Sequence, residues 1–404
     1  MSNRTIVLGI AVAAVKEAAG AEPAMPEPAF CRALSRAGAP LGIGVYVFAP
    51  DGYEPETGVL HAFRLEGGRW AKRAVPLPDV VYDRCFSSEP GQGIRCRSAL
   101  AAMAERKPHI PLNGRLPGKL AVYDSLKDDP ALSGHLPSSL GFRSAEQLLR
   151  LAGAHEGGIV LKPSSGMQGR GIVHIKRGQE GEKVRVNGRT RQNRPFAAEF
   201  EAGRPFARWA ARFIGRRTYF VQPYLELSGA DGKPFDVRAL LQKGGLGDWT
   251  LSGIAVRSGQ AGSLTSNLHG GGAAEPAAAA LAAKFGGEES ERLLEQIHTI
   301  SKQTAIRLEG RFGRFAELGL DFGIEPDGKL WLLEANTKPG RSSFRMIGDE
   351  RAERLSIERP LLYARYLSSR QYTSFAANES VNGRRVNAKF ANPLRPFNVQ
   401  EVHR

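Results

Sequence analysis

The sequence predicts an α/β unit followed by a larger α+β region, and three observations carry that division. Short apolar strands alternate with helical segments over the first hundred residues, the pattern of a mostly parallel sheet. Two Pro- and Gly-containing breaks fall at 111–119 (PLNGRLPGK). Beyond them strands come in succession before a long amphipathic helix. The expected units are therefore 1–112, 113–370 and a basic tail, 371–404.

In the first unit, residues 5–12 (TIVLGIAV), 42–50 (GIGVYVFAP) and 78–84 (PDVVYDR) read as strands, and Phe30 to Ala37 as a short helix closed by Gly38. Arg4 with the apolar run after it imitates a secretory leader. However, Lys16 and Glu17 stand where a cleavage region should be neutral, so a first strand is the better reading. In the second unit, Ser144 to Leu151 has helical spacing. Residues 157–163, 172–175, 217–227, 235–242 and 249–258 read as strands. Ser290 to Leu308 sets Leu293, Leu294, Ile297, Ile300, Thr304 and Leu308 on one face. A short basic helix is expected near 350–367, and the Asn-, Arg- and Pro-rich tail after Gln371 is expected to be mobile or loosely packed.

Composition narrows the function. Of 404 residues, 42% are hydrophobic and 24% charged, which excludes wholesale disorder. Lys and Arg number 56 against 41 Asp and Glu, a net charge of +15 that favours anionic partners. Only Cys31, Cys85 and Cys96 occur, none at CxxC spacing, so neither a disulfide framework nor a cysteine zinc site is expected, and a reducing, cytoplasmic setting is. No stretch reaches the roughly 18–20 apolar residues that a bilayer span needs.

The most informative segment is 318–340 (LGLDFGIEPDGKLWLLEANTKPG), two strands flanking a Pro-Asp-Gly turn. A two-residue Asp327-Gly328 loop places Asp321 opposite Glu334, with Asn336 two residues on and so on the same face. Two carboxylates and an amide oxygen there suit Mg²⁺. Pro326 lacks the donor a closing pair wants, and a glycine bulge would shift the register by one. The plain alternative is an edge hairpin with solvated acids.

Lys162 ends an apolar strand and precedes Gly166, Gly169 and Gly171, whose amides can approach phosphate oxygens closely. The segment lacks G-K-[S/T] and joins strand to strand, so it is neither a P-loop nor a dinucleotide fingerprint. A flexible hairpin tip is the alternative. Pro223 interrupts its strand, which frees nearby backbone groups for a ligand. Asp236 and Arg238 share a strand face, as a charge pair or a phosphate clamp, and Asn267 sits in a polar glycine loop (SNLHGGG). Residues 177–217 carry eleven Lys and Arg against four Asp and Glu. Phe206, Trp209 and Phe213 recur there at helical spacing, either as an ordinary packing stripe or as part of a surface for an acidic peptide or polymer. No nucleic-acid-binding module is visible.

Taken in order, these segments resemble the ATP-grasp superfamily. The wording VLKPSSGMQGRGI, VQPYLEL, FDVRALLQ, SNLHGGG and WLLEANTKPG is similar to the YheC/YheD-type, endospore-coat-associated proteins over about 113–370. The resemblance implies an ATP-grasp fold with a preceding Rossmann-like α/β N-terminal domain. It implies that Lys119 and Lys162 contact ATP phosphates, and that Ser165, Gly166, Gln168, Gly169 and Gly171 cover them. Gln222, Pro223, Tyr224 and Leu225 would line the adenine pocket, with Glu226 at the ribose. Asp321, Glu334 and Asn336 would hold one or two Mg²⁺, and Arg238 and Asn267, with Lys162, would face the transferred phosphate or the acceptor carboxylate. The activity implied is an amide-forming ligase that works through an acylphosphate on an amino acid, peptide or cell-envelope or spore precursor. A non-catalytic ATP-binding coat protein and a small-molecule kinase are the other readings, and association with the forming spore coat accompanies the resemblance.

Overall fold

Three β-sheets follow one another along the chain in the computed structural model. It describes residues 5–381 except 19, 87–90, 167–168, 179–181, 230 and 261–271, and for 371–381 it describes backbone alone. In the first sheet Ile43–Phe48, Ile6–Ala11, Val80–Asp83 and Ile110–Pro111 lie side by side and parallel. Leu8 and Ile10 are buried on one face and Ala11 on the other, the pattern of a parallel strand covered on both sides. An antiparallel hairpin, Leu60–Glu66 and Arg69–Val75, extends one edge, and Gln92–Arg106 adds a helix; the sequence reading missed all three elements. Arg69, Lys72 and Arg73 keep that outer strand from resembling a core strand, and such charges protect a free edge.

The second sheet is antiparallel, in the order Pro195–Glu201, Lys183–Arg189, Val173–Arg177, Ile159–Pro163, Tyr219–Pro223, Leu140–Gly141. Helix Ala145–Ala154 starts at a serine N-cap, with a return bond one residue further out. Ser144 Oγ accepts from Gln147 N at 3.2 Å, and Gln147 Oε1 accepts from Arg143 N at 2.7 Å. The arginine-dense stretch 177–217 is thus two strands of this sheet and helix Arg204–Ile214. Trp209 stands among Phe196, Phe200, Phe206 and Phe213, so the aromatic stripe is core packing, while Arg204, Arg208 and Arg212 are exposed. The strand expected over 217–227 ends at Pro223, which has no N–H to continue the ladder.

The third sheet is also antiparallel: Ala273–Pro276, Trp249–Ser258, Phe235–Lys243, Glu317–Ile324, Leu330–Asn336. Every residue of Phe235–Lys243 is buried, because helix Gly287–Phe312 and helix Glu350–Val381 both pack on that strand. The first helix buries Leu293, Ile297, Ile300, Thr304 and Leu308, with Leu294 half-buried at the margin. The last helix corrects the expectation of a short element followed by a tail from 371. It spans 32 residues, and its Leu361, Tyr363, Ala364 and Leu367 enter the core of the first sheet beside Leu8, Leu34 and Ile43. Residues 382–404 lie outside the described residues.

A buried polar knot joins the first and third sheets. Glu317, 0% exposed, accepts from Tyr82 Oη at 2.5 Å, Arg84 Nη1 at 3.2 Å, Gln242 Nε2 at 3.0 Å and Arg341 Nη2. Asn113, in the segment leaving the first sheet, donates to Glu317 O at 3.1 Å and accepts from Ala316 N at 2.8 Å. No described helix is long and apolar enough to cross a membrane.

Candidate nucleotide and metal site

Lys162 occupies the next-to-last position of Ile159–Pro163, where Ile159, Leu161 and Pro163 are buried and Val160 and Lys162 are half-buried on the other face. Its Nζ donates to Gln222 Oε1 at 2.7 Å, Gln222 Nε2 donates to Ser139 Oγ at 2.7 Å, and Ser139 Oγ donates to Pro137 O at 2.9 Å. Burial pulls the ammonium pKa down to about 8; nearby Lys119 lowers it further and Glu334 opposes the shift. Ser139 had no signal in the sequence beyond being the second serine after a proline.

Lys119 opens helix Lys119–Leu126. Its N–H donates to Ser164 O at 2.8 Å, and its Nζ lies 3.2 Å from Glu334 Oε2. The approach requires Gly118, where a Cβ would sit 2.6 Å from Ser164 Oγ. Lys119, Val122, Phe220, Gln222, Leu332 and Glu334 line one cavity, so the cleft has apolar walls and a charged end.

In the glycine loop, Gly169 and Gly171 take positive φ, and a Cβ on Gly171 would meet Tyr219 Oη at 2.9 Å. Ser165 and Gly166 are exposed; Gln168 lies outside the described residues. Past Pro223, Tyr224 N donates to Gly158 O at 3.0 Å, and the ring stacks on His174 at 4.2 Å. Leu225 is half-buried and Glu226 exposed.

The acidic hairpin reaches its register by a route the sequence did not reveal. The turn is not a two-residue loop. Glu325 N donates to Lys329 O at 3.0 Å and Gly328 N to Glu325 O at 2.9 Å, with Gly328 at φ 83°. Pro326 has no N–H, so the closing pair moves out to Glu325 and Lys329. Ile324 then pairs with Leu330, and Phe322 with Leu332, one residue out of the expected register. A bulge at Leu333 restores it, and Asp321 pairs with Glu334. Asn336 lies two residues beyond Glu334, opposite Gly319.

Asp321 also has Arg238 directly opposite on its other side. Arg238 Nε donates to Oδ1 and Nη2 donates to Oδ2 at 2.9 Å, while Arg257 Nη2 lies 3.1 Å from Oδ1. Arg257 holds Asp236 through two further contacts of 2.6 and 2.7 Å. Asp236 and Arg238 both find partners across strands. Each reaches the residue opposite, because cross-strand neighbours lie closer than positions i and i+2. Burial would raise the Asp321 pKa, but the two guanidiniums outweigh it and hold the carboxyl below its ordinary value. Arg257 was missed, although its place opposite Asp236 was open to pairing two adjacent strands. Asn267 lies outside the described residues.

The donors at the hairpin are all oxygens, two carboxylates and an amide, which suit a hard divalent cation such as Mg²⁺ and not a soft one. A lysine-bearing strand before a glycine loop on one antiparallel sheet, and an acidic hairpin on the next, define a protein of the ATP-grasp fold. Comparison with known proteins agrees: the YheC/D-like ATP-grasp family model matches residues 109–367, and the chain belongs to that family. It is 28% identical over 347 residues to the endospore coat-associated protein YheC of Bacillus subtilis, covering 84% of this chain and 92% of that one. Against YheD of the same organism it is 28% identical over 337 residues, 81% and 72% of the two chains. Among solved structures, the ATP-grasp ligase PsnB with minimal precursor, Mg and ADP is similar at TM-score 0.47 and 14% identity, covering 90% and 99% of the two chains. The D-alanine–D-alanine ligase from Coxiella burnetii is similar at TM-score 0.47 and 11% identity, covering 94% and 99%.

Proposed function

We propose that the protein is an Mg-ATP-dependent carboxylate–amine ligase acting on an amino acid, a peptide or a cell-envelope or spore precursor. The observation that carries this is the meeting of Lys119 and Glu334 at 3.2 Å beside Lys162, with charges of both signs at the end of an apolar cleft. Lys119, Lys162 and the amides from Gly166 to Gly171 would hold the phosphates. Gln222 to Leu225 would line the base, with Glu226 at the ribose. Glu334 and Asn336, with the lone pairs of Asp321 that its arginines leave unused, would hold one or two Mg²⁺, which when bound neutralise phosphate charge. Arg238 and Asn267 would orient the acceptor carboxylate and the transferred phosphoryl group.

On this reading a carboxylate oxygen attacks the γ-phosphorus, giving acylphosphate and ADP. An amine then attacks the acyl carbon and releases phosphate. Such chemistry needs positioning and fixed charge more than covalent help from the protein. A second reading, nucleotide binding without turnover in a spore-coat-associated protein, is favoured by one observation: Asp321 is already shared by two arginines.

The test gives purified protein Mg-ATP and pooled amino acids and peptides, beside Glu334→Gln. Pool-dependent ADP and phosphate, reduced at least ~10²-fold in the variant, are expected, the scale of losing one electrostatic stabiliser. A stable phosphorylated product instead of an amide would mean a kinase. Unchanged ATP in both samples despite measurable Mg-ATP binding would favour the coat-protein reading.

A further inference from the structure

We propose that Asp83, Cys85 and Cys96 form a binding site for a thiophilic divalent cation of the Zn²⁺ class, separate from the nucleotide cleft and independent of the ligase reading. Among the described residues they are the one cluster of three or more His, Cys, Asp or Glu donors, and their ligand atoms lie within 4.8 Å of one another. A tetrahedral Zn²⁺ with bonds of about 2.3 Å to sulfur and about 2.0 Å to oxygen sets its donors roughly 3.5–3.8 Å apart, so small side-chain rotations close the site. Both cysteines are buried, at 8% and 3% exposure, which shields their sulfurs from solvent oxidants.

The place in the fold is one where ligands bind. Ile6–Ala11 is flanked by the later strands Ile43–Phe48 on one side and Val80–Asp83 on the other, so chain order reverses beside it. Asp83 stands at the carboxyl end of its strand, level with Ala11, at that switch point. Helix Gln92–Arg106 brings Cys96 in from above, and Cys85 follows two residues after Asp83.

The surroundings suit a metal ligand set. Asp83 Oδ1 accepts from Cys85 N at 2.9 Å and Lys338 Nζ at 2.7 Å, and Arg115 Nη2 lies 3.4 Å from Oδ2. These partners orient the carboxylate as outer-shell groups do. Among the described residues they use three of about four lone-pair positions. Two thiolates and a carboxylate around a divalent ion carry one net negative charge, which Lys338 neutralises. Lys338 also donates to Cys85 O at 2.9 Å and lies two residues beyond Asn336, so an ion here would brace the segment that leaves the acidic hairpin. Three protein donors leave a fourth position for water, the open coordination of sites that are not purely structural.

The experiment uses the full chain, purified under reducing, anaerobic conditions, loaded with Zn²⁺ and dialysed, with metal counted by mass spectrometry. One equivalent is expected in the wild type and in Cys31→Ser, whose thiol lies in the core opposite the other face of the sheet, and less than a tenth of that in Cys85→Ser and Cys96→Ser. Because a serine variant can misfold, Co²⁺ is added to the wild type as an independent probe. Thiolate-to-cobalt charge-transfer absorption with tetrahedral ligand-field bands supports the site. Its absence, Zn²⁺ retention by the Cys85→Ser/Cys96→Ser double variant, or one free thiol instead of three in protein purified without reductant would each overturn the proposal, the last in favour of a disulfide.

Discussion

Replacing Lys162 by Met should make the protein more stable and worse at binding nucleotide. The ammonium pKa falls from an ordinary 10.5 to about 8, mainly through burial. At 1.36 kcal/mol per unit, that is a cost of about 3 kcal/mol to keep the charge there, an upper bound because the side chain is only half-buried. Methionine removes the charge but leaves Gln222 Oε1 without its 2.7 Å donor, which costs roughly 1–2 kcal/mol. The net gain is about 1–2 kcal/mol near neutral pH, read by urea unfolding.

The sign of the pH dependence sharpens the test. Below about pH 8 the lysine is charged in both folded and unfolded chains, so the penalty is fully present. Between about 8 and 10.5 the folded protein has released the proton and the unfolded chain has not, so the wild type gains stability relative to the variant as pH rises. The stability gap should therefore shrink between pH 7 and pH 9.5. Meanwhile Mg-ATP affinity at pH 7 should fall about 10- to 100-fold, the range for losing a charged hydrogen bond. A variant that is less stable at pH 7, with a gap unchanged at pH 9.5, would refute the claim that the buried ammonium is costly. Unchanged affinity would refute its phosphate role.

Two further outcomes follow from the same charges. Mg-ATP binding at pH 8 should take up a fraction of a proton, because phosphate favours the charged form of Lys162; calorimetry in two buffers of different ionisation enthalpy reads it, and zero uptake counts against the assignment. Glu317→Leu should cost about 3–5 kcal/mol, because Arg84, 1% exposed, and Arg341 lose a shared partner in a buried setting; a loss below about 1 kcal/mol would show that the polar knot does not hold the first and third sheets together.

How much of this was legible in the sequence depends on which interactions are local. Helix Ala145–Ala154 announces itself through Ser144 and Gln147, three residues apart, and Gly287–Phe312 through its apolar period. The acidic hairpin was legible only in outcome. The wider turn shifts the pairing by one and the Leu333 bulge shifts it back, so Asp321 meets Glu334 although the loop assumed for it was wrong. Nothing in the letters 325–333 signals a bulge, because it balances a ladder whose partner strand is equally unmarked. The packing of the last helix was illegible for a different reason. Leu361, Tyr363, Ala364 and Leu367 find their partners more than 300 residues away in sequence, in the first sheet. Cys85 and Cys96 likewise gain meaning only once a strand end and a helix bring them together.

The charged quartet Asp236, Arg238, Arg257 and Asp321 shows why position and stability must be kept apart at this site. It has two charges of each sign on three adjacent strands and no net charge. Desolvating such a set costs about what its attractions return, and well-packed apolar residues would serve the core as well. What apolar residues would not do is fix the rotamer of the carboxylate beside Glu334. Bidentate contact from Arg238, with Arg257 on the same carboxylate, leaves Asp321 little freedom to turn. A site that must present carboxylates to a small octahedral cation gains from that restriction, because Mg²⁺ tolerates little departure from ideal geometry. The quartet therefore argues for a function of orientation at this hairpin.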